Sequence, residues 1–206
     1  MKTIKSAFVL AFIVLEWMTP THAAINVTMD KPVTLIGEFG TGSAYLDPNN
    51  LPPLPPATTV TDGVFQGGNW TNGIWWDEQY SGTHSMVVVD LLGSFSLNTF
   101  SVMVDNNDVY LLEYRNPSGN WAPVWEVPNV CCFGLMERTT MLSSPVIATA
   151  LRLSAFPPSQ AGMDSAYSVS EIQAALVPEP ETYALMLAGL LLLAIRHNNY
   201  RPKSVD

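Results

Sequence analysis

Between Asn69 and His84 the chain places Trp70, Trp75, Trp76 and Tyr80 among Asn69, Asn72, Asp77, Glu78 and His84. Aromatic faces stack on the C–H surfaces of sugars, while amides and carboxylates bind hydroxyls. An apolar body with a few polar groups is the mixture found in small-ligand sites. Trp75, Trp76, Tyr80, Asp77, Asn72 and His84 are therefore the candidate ligand-binding residues. Neighbours on a strand face opposite sides, so at most one of Trp75 and Trp76 is expected in the core, leaving the other for a ligand. Ordinary packing competes with this role, and Trp121 and Trp125 are assigned to it as core or sheet-covering residues.

Other chemistry-bearing residues are sparser. The turn 105–108, Asp-Asn-Asn-Asp, is expected to be a solvated hairpin turn; the alternative is a share in a sugar or cation site. Arg152 sits between Leu151 and Leu153 and is expected to pair with a carboxylate across a sheet. Cys131 and Cys132 are the only cysteines. They form a vicinal disulfide, remain free thiols, or bond between molecules. Ordinary disulfides need Cα atoms about 4.4–6.8 Å apart, whereas neighbours sit ~3.8 Å apart. A vicinal bridge would distort the backbone and stiffen residues 128–136. No Gly-x-Ser-x-Gly elbow, His-Glu-x-x-His motif, phosphate loop or cysteine–histidine pattern is present. Asp77 and Glu78 are adjacent and point apart, but glycosidase carboxylates face one another across about 5–9.5 Å. The chain is not expected to be an enzyme.

The elements that must hold these residues read as strands. Residues 86–91 are an apolar run, and 99–104 alternate with period two. Residues 110–115, 121–127, 148–155 and 168–176 follow, separated by turns such as Asn-Pro-Ser-Gly-Asn at 116–120. Residues 25–27 and 33–36 suit edge strands. The Pro-rich segment 51–56 is expected to cross the domain irregularly. With no convincing amphipathic helix, this spacing predicts a β-sandwich. Between residues 24 and 181 there are sixteen Asp/Glu against four Lys/Arg, a net charge of −12. Such a domain repels nucleic acid and anionic membrane. It suits a hydrated extracellular setting and could hold a divalent cation.

Both ends look like addresses. Lys2 and Lys5 precede an apolar core at 7–15, and Thr21-His22-Ala23 suits signal-peptide cleavage. At the other end, Pro178-Glu179-Pro180 leads into an apolar run at 183–195, then Arg196, His197, Arg201 and Lys203. Thirteen helical residues span roughly 20 Å, short against a hydrocarbon core of ~30 Å. The alternative is a buried C-terminal helix, but the all-round apolar run 190–193 offers no polar face. The order of triplet, Leu/Ala/Gly-rich helix and basic tail resembles a PEP-CTERM sorting signal, the substrate of an exosortase. Its basic cluster is more dilute than the family pattern. The resemblance implies export, a membrane-inserted helix before processing, and release or attachment at a Gram-negative-type cell surface, often with exopolysaccharide. The expected organisation is a signal peptide at 1–23, a β-sandwich domain at 24–176 and a sorting signal at 177–206.

A second resemblance covers about residues 57–176. Asp62-Gly63 precedes the Trp-rich stretch. Strands with Val87-Val88-Val89-Asp90-Leu91 and Tyr110-Leu111-Leu112-Glu113-Tyr114 follow, then Gly119-Asn120-Trp121. Ala150-Leu151-Arg152-Leu153 and Ser168-Val169-Ser170-Glu171-Ile172 complete the order. These landmarks are similar to a discoidin-type (F5/8 type C, galactose-binding-like) domain. The resemblance implies a jelly-roll sandwich that binds sugars, lipids or proteins through loops at one end. It also implies a structural Ca²⁺ held by Asp62 and Glu171 with backbone carbonyls. The expected function is an exported, surface-sorted, non-catalytic carbohydrate-binding protein associated with exopolysaccharide or extracellular matrix. The alternative is a structural or adhesive matrix protein without a defined small ligand.

Overall fold

The computed structural model describes residues 25–81, 84–156, 165–176 and 180–199. Its strands are β1 (Val33–Ile36), β2 (Ile74–Asp77), β3 (Met86–Asp105), β4 (Tyr110–Arg115), β5 (Trp121–Val127), β6 (Leu135–Ala155) and β7 (Ala166–Leu176). All pairings between them are antiparallel, along the path β2-β7-β3-β6-β4-β5 with β1 beside β3. The register divides β3 and β6 between two layers. Residues 86–89 of β3 pair with β1, and 150–155 of β6 pair with β4, which carries β5. Further along, residues 97–104 of β3 pair with β7, which carries β2; this half is the back layer, and the half with β1, β4 and β5 is the front layer. Register shifts between Asp90 and Phe95 and between Leu97 and Thr99 mark where β3 passes from one layer to the other. Such irregularities bend a strand and increase its twist. The result is the expected jelly-roll β-sandwich.

The layers are tied through aromatic side chains. Trp76 of the back layer stacks on Tyr167 with centroids 5.6 Å apart and meets Tyr110 of the front layer edge-on at 6.2 Å. The Tyr110 hydroxyl donates to the Ser168 carbonyl (3.1 Å) and accepts from the Ser168 amide (3.0 Å). Burial pushes the Tyr110 hydroxyl well above its ordinary pKa, so it keeps the proton this bridge uses.

β7 is covered on both faces, and a bulge explains how. Met103 pairs with Glu171 and Val104 with Val169, so Ser170 is the extra residue. Val169 and Ile172 both enter the core, although their odd spacing would put them on opposite faces of a regular strand. Ser170 and Glu171 lie beneath segment 62–68. Ser170 Oγ donates to the Gln66 carbonyl at 3.0 Å, and the Gly63 amide donates to Glu171 Oε1 at 3.2 Å.

Several boundaries differ from the sequence expectation. Segments 86–91 and 99–104 belong to one strand of 20 residues, and β6 extends to 21 residues where only 148–155 was expected. The added half of β6 borders the back layer and exposes Met136, Met141 and Ile147, so it lacks the alternation of a half-buried strand. Residues 25–27 form only an isolated bridge, Asn26 to Ala175, while 33–36 is the expected edge strand. Leu51 and Leu54 of the Pro-rich segment pack on Trp70 and Trp75. The C-terminal helix Pro180–Asn199 exposes Leu191, Leu192, Leu193 and Ile195. Their exposure argues against a buried terminal helix. Among the described residues, no helix is long and apolar enough to cross a membrane. The expected signal peptide, Pro178 and Glu179 lie outside the described residues.

Candidate functional site

β2 buries three of the six side chains expected to bind a ligand, Trp75, Trp76 and Asp77. Trp75 and Trp76 are 0% and 1% exposed, so neither ring can stack on a sugar. The alternation is intact, but both faces of β2 are covered. Trp76 enters the main core. Trp75 enters a second cluster with Trp70, Ala166, Leu46, Leu51 and Leu54. Trp70 and Trp75 meet edge-on at 5.7 Å. Gly73 permits this packing, since a Cβ there would lie 2.5 Å from Ser168 Oγ and 2.7 Å from the Val169 carbonyl oxygen.

Asp77 is also buried, and both its oxygens are engaged. Oδ2 accepts from Ser43 Oγ (2.8 Å) and the Ala44 amide (3.2 Å); Oδ1 accepts from Ser165 Oγ (2.8 Å) and the Gln79 amide (3.0 Å). It ties loops together rather than facing solvent. Asn72 and His84 stay exposed but lie on opposite sides of β2 in the chain. His84 Nδ1 is 3.1 Å from Glu78 Oε1. Burial raises the Glu78 carboxyl above its ordinary value, opposed by the charge of His84. Tyr80 falls in the helical turn Glu78–Ser81; its side chain lies outside the described positions. Of these residues, Trp75, Trp76 and Asp77 are therefore closed to a ligand, while Asn72 and His84 remain open to solvent.

Asp62 and Glu171 do come together. Glu171 is fully buried. Its Oε1 accepts from the Gly63 amide and from Gln173 Nε2, both at 3.2 Å, and its Oε2 has no hydrogen-bond partner. Burial, reinforced by the Asp62 charge, raises its pKa from 4.5 to about 8. A buried carboxylate oxygen without a donor, beside a second carboxylate, is an environment a hard cation would stabilise. Among the described residues no three His, Cys, Asp or Glu side chains converge.

The end of the sandwich away from the domain termini carries residues that sequence reasoning missed. Residues 25 and 176 meet where β3 begins its back-layer half. The loops 105–109 and 128–134 lie at the far end, where Asp105 pairs with Leu135. The turn 105–108 is buried rather than solvated, because Arg138 fills it. Arg138 donates to the carbonyls of Asp105 (2.5 Å), Asp108 (3.2 Å) and Pro128 (2.7 Å). Loop 128–134 is pinned at both ends, by the Val130 amide on the Asn106 carbonyl (2.9 Å) and the Gly134 amide on Asp105 Oδ1 (2.7 Å). Its tip projects Phe133, which is 72% exposed. The Leu135 amide donates to the Gly68 carbonyl (2.9 Å), so the tip adjoins the loop that exposes Gln66, Asn69 and Asn72. An exposed aromatic beside exposed amides is the mixture first sought around Trp75. Its sequence signal was an apolar cluster, Val130 to Phe133, bounded by Pro128-Asn129 and Gly134.

Arg152 pairs with Glu113 across the sheet as expected, with Nη2 to Oε1 at 2.9 Å, and lies 4.5 Å over the Trp121 ring. Trp121 and Trp125 are half-buried, in line with sheet-covering roles.

No protein-family model matches this sequence, and no curated protein matches it. Solved structures do. A fucose-binding module of Streptococcus pneumoniae aligns with a TM-score of 0.50 at 13% identity, covering 76% of this chain and 99% of that one. A family 32 carbohydrate-binding module of Clostridium perfringens, in complex with galactose, aligns at 0.47 and 16% identity, covering 73% and 96%. A chitosan-binding module from a Paenibacillus chitosanase/glucanase aligns at 0.47 and 17%, covering 73% and 98%. At 13% identity the likeness to the first of these shows the fold alone, a jelly-roll β-sandwich.

Proposed function

We propose that this chain is an exported, non-catalytic carbohydrate-binding protein of the cell surface or extracellular matrix, engaging glycan through Phe133 and its neighbouring amides. The observation that carries this is a 72%-exposed aromatic on a loop whose two ends are fixed by hydrogen bonds. A rigid aromatic face loses little freedom on contact, which favours stacking on a sugar ring. Glycan-array and polysaccharide pull-down measurements test it. Retention on at least one glycan that falls on Phe133→Ala supports the proposal. Absence of any glycan binding, together with concentration-dependent assembly, favours the structural or adhesive alternative.

Two further proposals accompany it. Asp62 and Glu171 are assigned to a structural Ca²⁺ that would neutralise the buried carboxylate and pin segment 62–68 to β7. Pro178, Glu179, Pro180 and Arg196 are assigned to a PEP-CTERM-type sorting signal. Its support is the order of motifs and a helix whose apolar side chains are exposed. Mass spectrometry of protein released from the cell surface would locate both termini. An intact C-terminus would overturn processing.

A further inference from the structure

Cys131 and Cys132 occupy the tip of loop 128–134, next to Phe133, and both are exposed. Adjacent side chains ordinarily diverge. Here Cys132 adopts φ +53°, the left-handed region that non-glycine residues seldom enter. The two Sγ atoms converge to 2.7 Å. The Cys131 side chain beside it raises the Cys132 thiol above its ordinary pKa. Beneath the tip the backbone has little freedom. Gly134 sits at φ +113°, where a Cβ would lie 2.7 Å from the Gly68 carbonyl oxygen. Asn106 Nδ2 reaches Cys131 Sγ at 3.6 Å. The loop thus holds two thiols together, open to solvent, on a fixed base.

We infer that Cys131 and Cys132 are a reversible dithiol–disulfide site that sets how the loop presents Phe133 to its ligand. The inference rests on the proposed role of Phe133. The oxidant is a small disulfide such as glutathione disulfide. One cysteine thiolate attacks it, forming a mixed disulfide and releasing one thiol. The neighbouring thiolate then attacks the protein-side sulfur, releases the second thiol and closes the Cys131–Cys132 bond. The protein pair loses two electrons and two protons, and the small disulfide becomes two thiols.

Two physical features make this a switch rather than a staple. Neighbouring Cα atoms are ~3.8 Å apart, below the ordinary disulfide range of about 4.4–6.8 Å, so the bond is more reducible than a structural bridge. A bond between neighbours also closes almost no chain, so it removes little entropy from the unfolded state. Its effect must therefore be local, on residues 131–133.

The full chain, incubated in glutathione redox buffers, provides the test. Intact mass should show a reversible loss of two hydrogens in the monomer. Phenylarsine oxide, which bridges paired thiols, should bind the reduced form in a one-to-one ratio and not the oxidised form. Chymotryptic cleavage after Phe133 should differ several-fold between the two forms, and the melting temperature should barely move. Glycan retention should change with redox state in the wild type and not in Cys131→Ser/Cys132→Ser. Resistance to glutathione disulfide, or oxidation only between molecules, would overturn the site. Intramolecular oxidation with unchanged cleavage at Phe133 would overturn the coupling. If no glycan binds, the carbohydrate proposal fails alone, because the mass, arsenical and cleavage readouts do not require a ligand.

Discussion

Replacing Glu171 with glutamine should make the folded protein more stable at alkaline pH in the presence of a chelator. In the unfolded chain this carboxyl ionises near 4.5; in the fold its pKa is about 8, raised chiefly by burial. Below 4.5 both states hold the proton and the fold keeps the full benefit. As pH rises towards 8 the unfolded state gains a solvated carboxylate while the folded state retains its proton. Stability is therefore lost across that window. At ~1.4 kcal/mol per pH unit, the gap between 4.5 and about 8 sets an upper limit of about 5 kcal/mol by pH 9. For a chain of this size that is at most ~10–20 °C in melting temperature. Glutamine has the same shape and carries no charge, so its curve should lack this contribution. The other acidic residues repel one another in both proteins and cancel in the difference. Thermal melts of the two proteins from pH 4 to 9 in chelator read the effect directly. Calcium should then recover the wild type at pH 8, by ~2.7 kcal/mol at a hundred times its dissociation constant, and leave Glu171→Gln unmoved. Parallel pH profiles in chelator would refute proton retention by Glu171. Equal calcium stabilisation of both proteins would refute its role as a ligand.

Trp76→Ala should cost about 3–5 kcal/mol, because it leaves a cavity among Phe39, Tyr110 and Tyr167; urea denaturation measures it. Phe133→Ala should change stability by less than about 0.5 kcal/mol, since exposed side chains seldom contribute more. The same variant should weaken glycan binding about 5–10-fold if stacking supplies ~1–1.4 kcal/mol, as titration calorimetry would show. Gly73→Ala should lower the melting temperature, because its Cβ would lie 2.5 Å from Ser168 Oγ and 2.7 Å from the Val169 carbonyl oxygen; thermal melts of the variant and the wild type measure it. Arg152→Ala should cost about 1 kcal/mol or less, since its pair with Glu113 is partly solvated.

Much of the fold was legible because strands declare themselves locally. Residues 110–115 alternate and 121–127 follow a turn, and both are strands with those bounds. That Arg152 pairs with a carboxylate across the sheet was legible from a charge between two core leucines; that the carboxylate is Glu113 came from the structure. The first half of β6 was not, because its outer face is bare and its residues are mixed. The continuity of β3 was hidden by Gly93 and Ser94, which read as a break but lie where the strand changes layer.

The candidate site divides in the same way. Residue types and order alone determined an acidic β-sandwich and the isolation of the cysteine pair, and the resemblance drawn from that order anticipated the proximity of Asp62 to Glu171. Only the tertiary structure decided which aromatics meet solvent. Period-two alternation says that Trp75 and Trp76 face opposite ways, but not what lies beyond each face. Leu51 and Leu54, some twenty residues upstream, close over Trp75, while nothing in the described chain covers Phe133. Burial depends on contacts between distant segments, and a sequence pattern reports only the direction in which each side chain leaves its own strand.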